Sequence, residues 1–537
     1  MTATRAMLVV ALVFCVRGGS AWAADGGPAS DEECFRRAAQ SAPIAGYSLS
    51  KVQRWLREVA LKQIDPETGL YRADGNWNYR DTAADCYPFL CWAAWAVDKE
   101  ALDGPVRNVL HVEQELCNHV DRIPVPWDFD KKAKVQEHPY DALIFEASEY
   151  VKDGLIAIVE VTGKDEWFER MKAIEEDIWK HARVDTPYGK IPSTNIEVNG
   201  DHLQALARLY TMTGEAKFLT WAERLADYYL KPGNFVPTRL RDHGCEIIGG
   251  LGLLLGVESE VNPDKAREYL PAIRHMLDEI LARGLNPDGL MVNTLANEPG
   301  RRDERLSDGW GYNYVGYLCH DVVAGKPFFR ETIIETFKTL ASNPKYTDYN
   351  WEGNHSIDGY ADSLEGAIYL LNRIAVPEGL VWVDREMANN VARLNEPLDT
   401  AKLWGTMKLE SNGVRTVLQH ALMHTRGLIA RPWRRDLELG ACEANGKLYV
   451  VVKGGKDWAG QLAFDVPRHR LYMGFQHDWP RMNTLPEWFT VEPEGRYRVR
   501  DVDADAANAH SGDSLAKGLD VKVEARRTLR LIVEPEP

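Results

Sequence analysis

Apolar and one-sided charged stretches alternate along most of this 537-residue chain. Six segments are apolar on nearly every face: 81–97, 146–161, 201–212, 244–257, 310–323 and 361–374. Between them lie six amphipathic segments: 49–64, 106–120, 166–182, 216–230, 265–281 and 329–340. A helix apolar all round belongs inside a fold, and one with a single apolar stripe belongs outside. Strict alternation of the two kinds predicts a closed ring of six helical hairpins. Thr162-Gly163-Lys164-Asp165 and Thr213-Gly214-Glu215 punctuate successive hairpins, and Gly325-Lys326-Pro327 is a looser copy. A glycine that ends one helix and an acid that opens the next suit such joints.

The pattern changes after Gly427. Short β-prone runs at 437–440, 448–452, 461–466, 489–491, 497–499 and 529–533 follow, with Asn445-Gly446 as a hairpin signal. The expected organisation is a signal peptide over 1–23, a flexible leader over 24–46, a mainly α toroid with bracing helices over 47–426, and a small β-sandwich over 427–537. The signal peptide rests on Arg5, the apolar run 6–16 and Ala21-Trp22-Ala23, a small-x-small cleavage site. It is too short to span a membrane. The expected location is therefore secreted or periplasmic.

Cleavage would remove Arg5 and Arg17 and no acid, taking the formal charge from −16 to −18. With no basic tract, nucleic acid is not an expected partner. Cys34, Cys86, Cys91, Cys117, Cys245, Cys319 and Cys442 remain, an odd number without a disulfide or zinc framework. No ligand spacing resembles an established zinc or calcium site, so no metal or cofactor is expected.

The connections from outer to inner segments are long, and in an alternating ring they share one end. Long structureless loops usually carry function. The first delivers Trp77, Tyr79, Arg80, Asp81 and Asp85; the second Trp127, His138, Tyr140, Glu149 and Asp153. The third delivers Asn195, Glu197, Asn199, Asp201 and His202; the fourth Arg239, Arg241, Asp242, His243 and Glu246. The fifth delivers Asp308, Trp310, Tyr312, Asn313 and Tyr314; the sixth Trp351, His355, Asp358, Tyr360, Asp362 and Glu365. Rings that stack on sugars and polar groups that pair with hydroxyls converge on one cup. The plainer reading of any single Asp or Asn here is a helix cap.

The segments Asn199-Gly200-Asp201-His202-Leu203-Gln204-Ala205-Leu206 and Asp308-Gly309-Trp310-Gly311-Tyr312-Asn313-Tyr314 look like the inner-helix starts of the six-hairpin, (α/α)6-toroid carbohydrate-active enzymes. That group spans glycoside hydrolases and polysaccharide lyases. The hairpin through Thr213-Gly214-Glu215 is similar to the unsaturated uronyl hydrolases, whose catalytic Asp opens an inner helix; the nearest acids here are Glu197 and Asp201. A ring followed by a β domain also resembles several lyases. The resemblance implies a carbohydrate substrate, a polysaccharide or its oligosaccharides, uronate-containing ones among them.

Three readings follow. A hydrolase needs two carboxyls, one protonated, and Asp201, Asp242 and Asp308 are the first choices, then Asp81 and Glu149. A lyase needs a base, an acid and a neutraliser: His202 or His243, Tyr312 or Tyr314, and Asn195, Asn313 or Arg241 respectively. A non-catalytic glycan binder needs only the aromatics, and gives no reason for so many acids. Trp77, Tyr79, Arg80, Trp310, His355 and Tyr360 complete the expected substrate contacts.

Overall fold

The computed structural model describes residues 29–536 apart from 74, 242–243, 296–303, 352, 354–356 and 394–402; the side chains of 390–393 and 403–410 are not described either. The expected signal peptide lies outside these residues.

All six apolar segments are wall helices of one ring. They are α2 (Tyr87–Val97), α4 (Tyr140–Glu149, continuing through Tyr150–Ile156 into Ala157–Thr162), α6 (Ile196–Thr213), α8 (Glu246–Val261), α10 (Trp310–Ala324) and α12 (Ile357–Arg373). Each packs on the next in chain order. The outer layer is α3 (Arg107–Cys117), α5 (Glu166–Lys180), α7 (Ala216–Leu230), α9 (Pro263–Arg283), α11 (Arg330–Ser342) and α13 (Pro377–Arg393). Gly214 ends α6 at φ 73°, a left-handed position that lets the chain reverse. No helix among the described residues is long and apolar enough to cross a membrane.

Three segments differ from expectation, the first being α13, expected as a brace like 413–425, which packs on α11 and α12 as part of the outer layer. The other expected brace, α14 (Leu403–Thr425), stands in the wall itself, between α12 and α2. Val414, Val417, Leu418, Ala421 and Leu422 are buried, while Arg415 and Gln419 interrupt the apolar run and disguise it. Residues 24–46 are not a mobile leader from Asp31 onward. Helix α1 (Asp31–Glu58) is capped by Ser30 and carries three acids in its first turn, where the dipole favours them. Its Cys34, Phe35, Ala38 and Ala42 pack on Cys442, Tyr449, Val451 and Ile532 of the β domain. The charged start and Pro43 hid this helix.

The C-terminal strands are β1 (Ile429–Arg431), β2 (Leu437–Ala444), β3 (Lys447–Gly454), β4 (Trp458–Ala463), β5 (Arg496–Asp501), β6 (Ala506–Ser511), β7 (Leu519–Val523) and β8 (Thr528–Pro535). They form a five-stranded sheet, β6-β5-β8-β3-β2, and a three-stranded sheet, β7-β4-β1, both antiparallel. Asn445 and Gly446, at φ 55° and 72°, make the expected tight turn between β2 and β3. The run 489–491 is not a strand of either sheet. It belongs to the long connection from β4 to β5, which reaches back to the ring.

That connection is anchored on Glu160, buried in α4. Arg208 donates to it at 2.9 Å, Arg481 at 2.8 and 3.0 Å, and Thr484 at 3.1 Å. Burial pushes the Glu160 carboxyl up, but Arg481 and Arg208 together pull it down to about 2. The chain thus enters the end of the ring opposite the long loops and brings Met482 and Asn483 inside.

Candidate active site

A cavity of about 220 Å³ lies within the ring. Its walls carry seven carboxylates (Asp85, Glu149, Asp153, Glu246, Asp358, Asp362 and Glu365) against three cations (Arg80, Lys152 and Arg415), together with Cys245, Tyr312, Met482 and Asn483. The excess of acid decides its chemistry: it is polar, net negative and nearly free of aromatic surface.

Local backbone puts these groups there. Asp85 sits in a widened π turn, Thr82–Cys86, and Lys152 and Asp153 in another, Tyr150–Ile156. Such turns shift side chains out of regular helical register and recur at functional sites. Gly154 allows the two turns to touch, since a Cβ there would lie 2.7 Å from the Ala83 carbonyl oxygen.

One side of the cavity centres on Lys152. Its Nζ lies 2.6 Å from Asp153 Oδ1 and 2.8 Å from Glu246 Oε1. Burial alone would strip this ammonium of its proton; Asp153, Glu246, Asp201 and Glu149 keep it charged. Asn483 donates to the same Asp153 Oδ1 at 2.8 Å. Burial raises the Asp153 carboxyl, Lys152 opposes, Glu149 and Asp85 add repulsion, and it settles at about 7. With two N–H donors on Oδ1, Oδ2 is the oxygen left to carry a proton.

The other side centres on Glu365. Tyr312 donates to its Oε2 at 2.5 Å, and Tyr369 and Gln419 to its Oε1 at 2.6 Å each. Arg415 donates to Asp362 Oδ1 at 2.5 Å, and its Nε lies 3.0 Å from Glu365 Oε2. Burial keeps the Tyr312 phenol far above its ordinary value, so it remains a neutral donor. Asp153 on α4 and Glu365 on α12 come from opposite arcs of the wall, separated by α6, α8 and α10 one way and by α14 and α2 the other.

The sequence-derived candidates divide accordingly. Arg80, Glu149 and Tyr312 line the cavity. Asp201 is buried beside the cavity without lining it, close enough to Lys152 to help hold its charge, and accepts from Ser148 at 3.1 Å. Burial and nearby Glu149 hold its carboxyl well above the usual range. Asp308 serves the start of α10, where its Oδ1 accepts the Gly309 N–H at 2.8 Å. Asn195 caps α6. The Asp81 N–H is itself tied down by Asn78 at 2.7 Å. His202 is fully buried, with Nδ1 2.9 Å from both oxygens of Glu175 on the outer layer.

Most expected sugar platforms are core side chains instead. Trp77 packs on Tyr79 and Tyr87, and Tyr79 donates to Glu113. Trp310 donates to Ser363 and packs on Phe337 and Trp382; Tyr314 reaches Thr336; Tyr360 bonds Glu386 and meets Trp351 edge-on. All of these aromatics are buried, because a wide ring needs bulky wedges between its helix layers. Asn313 holds the Leu240 carbonyl at 2.7 Å, and Arg241 takes part in the same strand-like crossing through its N–H to Asn293. Asp242, His243 and His355 lie outside the described residues.

Lys152, Arg415, Met482 and Asn483 were not among the candidates. A Lys-Asp pair inside an otherwise apolar segment was a usable signal for the first. Nothing local marks Met482 or Asn483.

No family model matches the chain, and no curated protein does. Among solved structures it is similar to an inactive variant of α-1,6-mannanase GH76A of Salegentibacter sp. HEL1_6 in complex with α-1,6-mannotriose, at 13% identity and TM-score 0.40, over 71% of this chain and 99% of that one. It is similar to a sugar epimerase from a ruminal bacterium at 13% identity and TM-score 0.39, over 55% and 86%. A GH127 β-L-arabinofuranosidase from Geobacillus stearothermophilus T6 follows at 11% identity and TM-score 0.37, over 92% and 81%.

Proposed function

We propose that this protein is a carbohydrate-active enzyme, a glycoside hydrolase, exported through its 1–23 segment. One observation carries the reading: carboxyls in unlike surroundings line one cavity, Asp153 held by Lys152 and Asn483 and pushed up to about 7 chiefly by burial, and Asp362 with Glu365 beside the Arg415 guanidinium. Two carboxyls in opposed environments are what cleavage of a glycosidic bond requires. Asp153 acts as general acid to the leaving oxygen. Asp362 or Glu365 acts on the opposite face of the sugar, as base or nucleophile.

The cavity is smaller than the ~300–1,000 Å³ typical of small-molecule sites, which suits a single sugar residue at a chain end. Its surplus of carboxylates favours a neutral, hydroxyl-rich sugar over a uronate. Elimination is disfavoured by the position of His202, locked to Glu175 away from the cavity.

The test is a panel of neutral and acidic oligosaccharides assayed for both reducing ends and ultraviolet-absorbing unsaturated products. Hydrolysis is expected on a neutral member, and Asp153→Asn should lose roughly 10²–10⁴-fold in rate. Unsaturated product, or an undiminished Asp153→Asn enzyme, would overturn the reading.

A further inference from the structure

Two histidines one turn apart on α14, His420 and His424, point their Nε2 atoms at one carboxylate oxygen, Oδ1 of Asp384 on α13. The separations are 2.8 and 2.9 Å, and the two Nε2 atoms are 3.2 Å from each other. None of the three residues lines the cavity. We propose that His420, His424 and Asp384 bind one divalent ion of the zinc class, with water as the fourth ligand, and that the ion pins α14 to α13.

Hydrogen bonding alone explains this cluster poorly. Each Nε2 would need its own proton to reach Asp384, which crowds two N–H groups whose nitrogens are only 3.2 Å apart. The His420 Nδ1 would then be a bare lone pair, and it is buried without a hydrogen-bond partner. With the protons on Nδ1, each Nε2 instead turns a lone pair toward the carboxylate, which is repulsive unless a cation lies between. A cation resolves the second arrangement. An ion bonded at about 2.0–2.1 Å to each donor, as zinc is to His and Asp, places tetrahedral donors about 3.3 Å apart. The triangle here needs to open by only a few tenths of an ångström.

The surroundings agree. His424 Nδ1 lies 3.1 Å from Ser41 Oγ on α1, the outer hydrogen bond that fixes a ligating imidazole in the right tautomer. Histidines at i and i+4 share one helix face, the spacing by which helices present two imidazoles to zinc. Two imidazoles and a carboxylate favour zinc, cobalt, nickel or copper over calcium or magnesium. The Asp384 side chain is 32% exposed, which leaves room for water. The neighbouring residue, Gln419, holds Glu365 in the cavity at 2.6 Å, so a fixed α14 also fixes Gln419 and Arg415.

The test uses the full chain, stripped with a chelator and titrated with Co²⁺. Tetrahedral Co²⁺ with imidazole ligands gives intense visible bands, whereas an all-oxygen site among the cavity carboxylates gives weak ones. One Co²⁺ per chain with intense bands, displaced by Zn²⁺, is expected. His424→Asn and Asp384→Asn should each abolish the bands, and Asp85→Asn with Glu149→Gln should keep them. Ser41→Ala, which leaves every ligand in place, should bind about 10-fold more weakly. Zn²⁺ should raise the thermal midpoint of the stripped native chain and not that of Asp384→Asn. Weak or absent bands in the native chain, bands that survive His424→Asn, or bands lost with the cavity variant would each overturn the proposal.

Discussion

Asn483, carried by the connection between β4 and β5, donates to Asp153 at 2.8 Å inside the helical ring. A residue of the C-terminal domain thereby tunes a carboxyl of the toroid. The bond favours the ionised form of Asp153, so removing it should raise that carboxyl further. A lost hydrogen bond of about 1 kcal/mol corresponds to roughly 0.7 pH unit. Asn483→Ala should therefore move the alkaline limb of the activity profile upward by about that amount. An unmoved limb would disconnect Asn483 from the titrating group.

The alkaline limb itself is a second prediction. Asp153 must be protonated to act as an acid, so activity should fall as pH rises through about 7. Stability should follow the same direction. Asp153 and Glu146 are raised to about 7 and Glu258 to about 8, in each case chiefly by burial. A folded-state value above the unfolded one means the folded chain binds the proton more tightly. That contribution is complete below about pH 4 and is lost as pH rises through 7–8. His138, lowered by burial, opposes it on the acid side. Urea midpoints measured from pH 5 to 8.5 should decline, and Asp153→Asn should flatten the slope.

The anchor on Glu160 gives a third. Arg481 is almost wholly buried and meets Glu160 with two of its nitrogens. Breaking a buried pair costs about 3–5 kcal/mol when it strands a charge, and Arg208, which stays on Glu160, offsets part of that, so the lower end of the range applies. Arg481→Ala should lower unfolding free energy by that order. It should also impair turnover, because Met482 and Asn483 enter the cavity on the same stretch of chain. Double variants of Arg481 with Asn483 should then show less than additive losses in activity; full additivity would mean that the anchor does not position the cavity residues.

How much of this was legible follows a physical pattern. Helical periodicity is a local property, so the six apolar wall segments and their order could be read directly, while α14, interrupted by Arg415 and Gln419, reads as a brace. Glycine punctuation such as Gly214 is also local. Asn195 opened its helix as a cap, the plainer of its two readings, because a helix start needs an acceptor wherever it lies, whereas Asp308 stands one residue before the cap position, Gly309. The loop tryptophans misled for another reason. Trp77 and Trp310 look like sugar platforms by position, but whether a ring faces a cavity or a neighbouring helix depends on packing across the layers. The same holds for Lys152, whose partner Glu246 is far away in sequence. His420 and His424 carried a usable i, i+4 signal, yet Asp384, on the preceding helix, becomes their partner only when α13 and α14 pack. Met482 and Asn483 reach the cavity through a connection from another domain, and no sequence pattern near them says so.

Arg415 is the cation set against Asp362 and Glu365, and it supplies the last prediction. It is buried against Asp362 and Glu365, and the Tyr312 hydroxyl donates to Glu365 and lies within hydrogen-bonding reach of Asp362. Without the guanidinium, two adjacent acids would share one small space with no cation beside them. Like charges so placed resist ionisation of the second. Arg415→Met should therefore move the acid limb of the profile to higher pH and cut activity at neutrality, by about 10²-fold if one of these acids is base or nucleophile. Arg415→Lys keeps the charge but loses the planar fork, and should fall between the two. Since Asp153 is untouched, the alkaline limb should stay near 7 in both variants. If Arg415→Met leaves both the acid limb and turnover unchanged, the ionised partner of Asp153 is not on this side of the cavity, and Glu149 or Asp85 becomes the residue to substitute next.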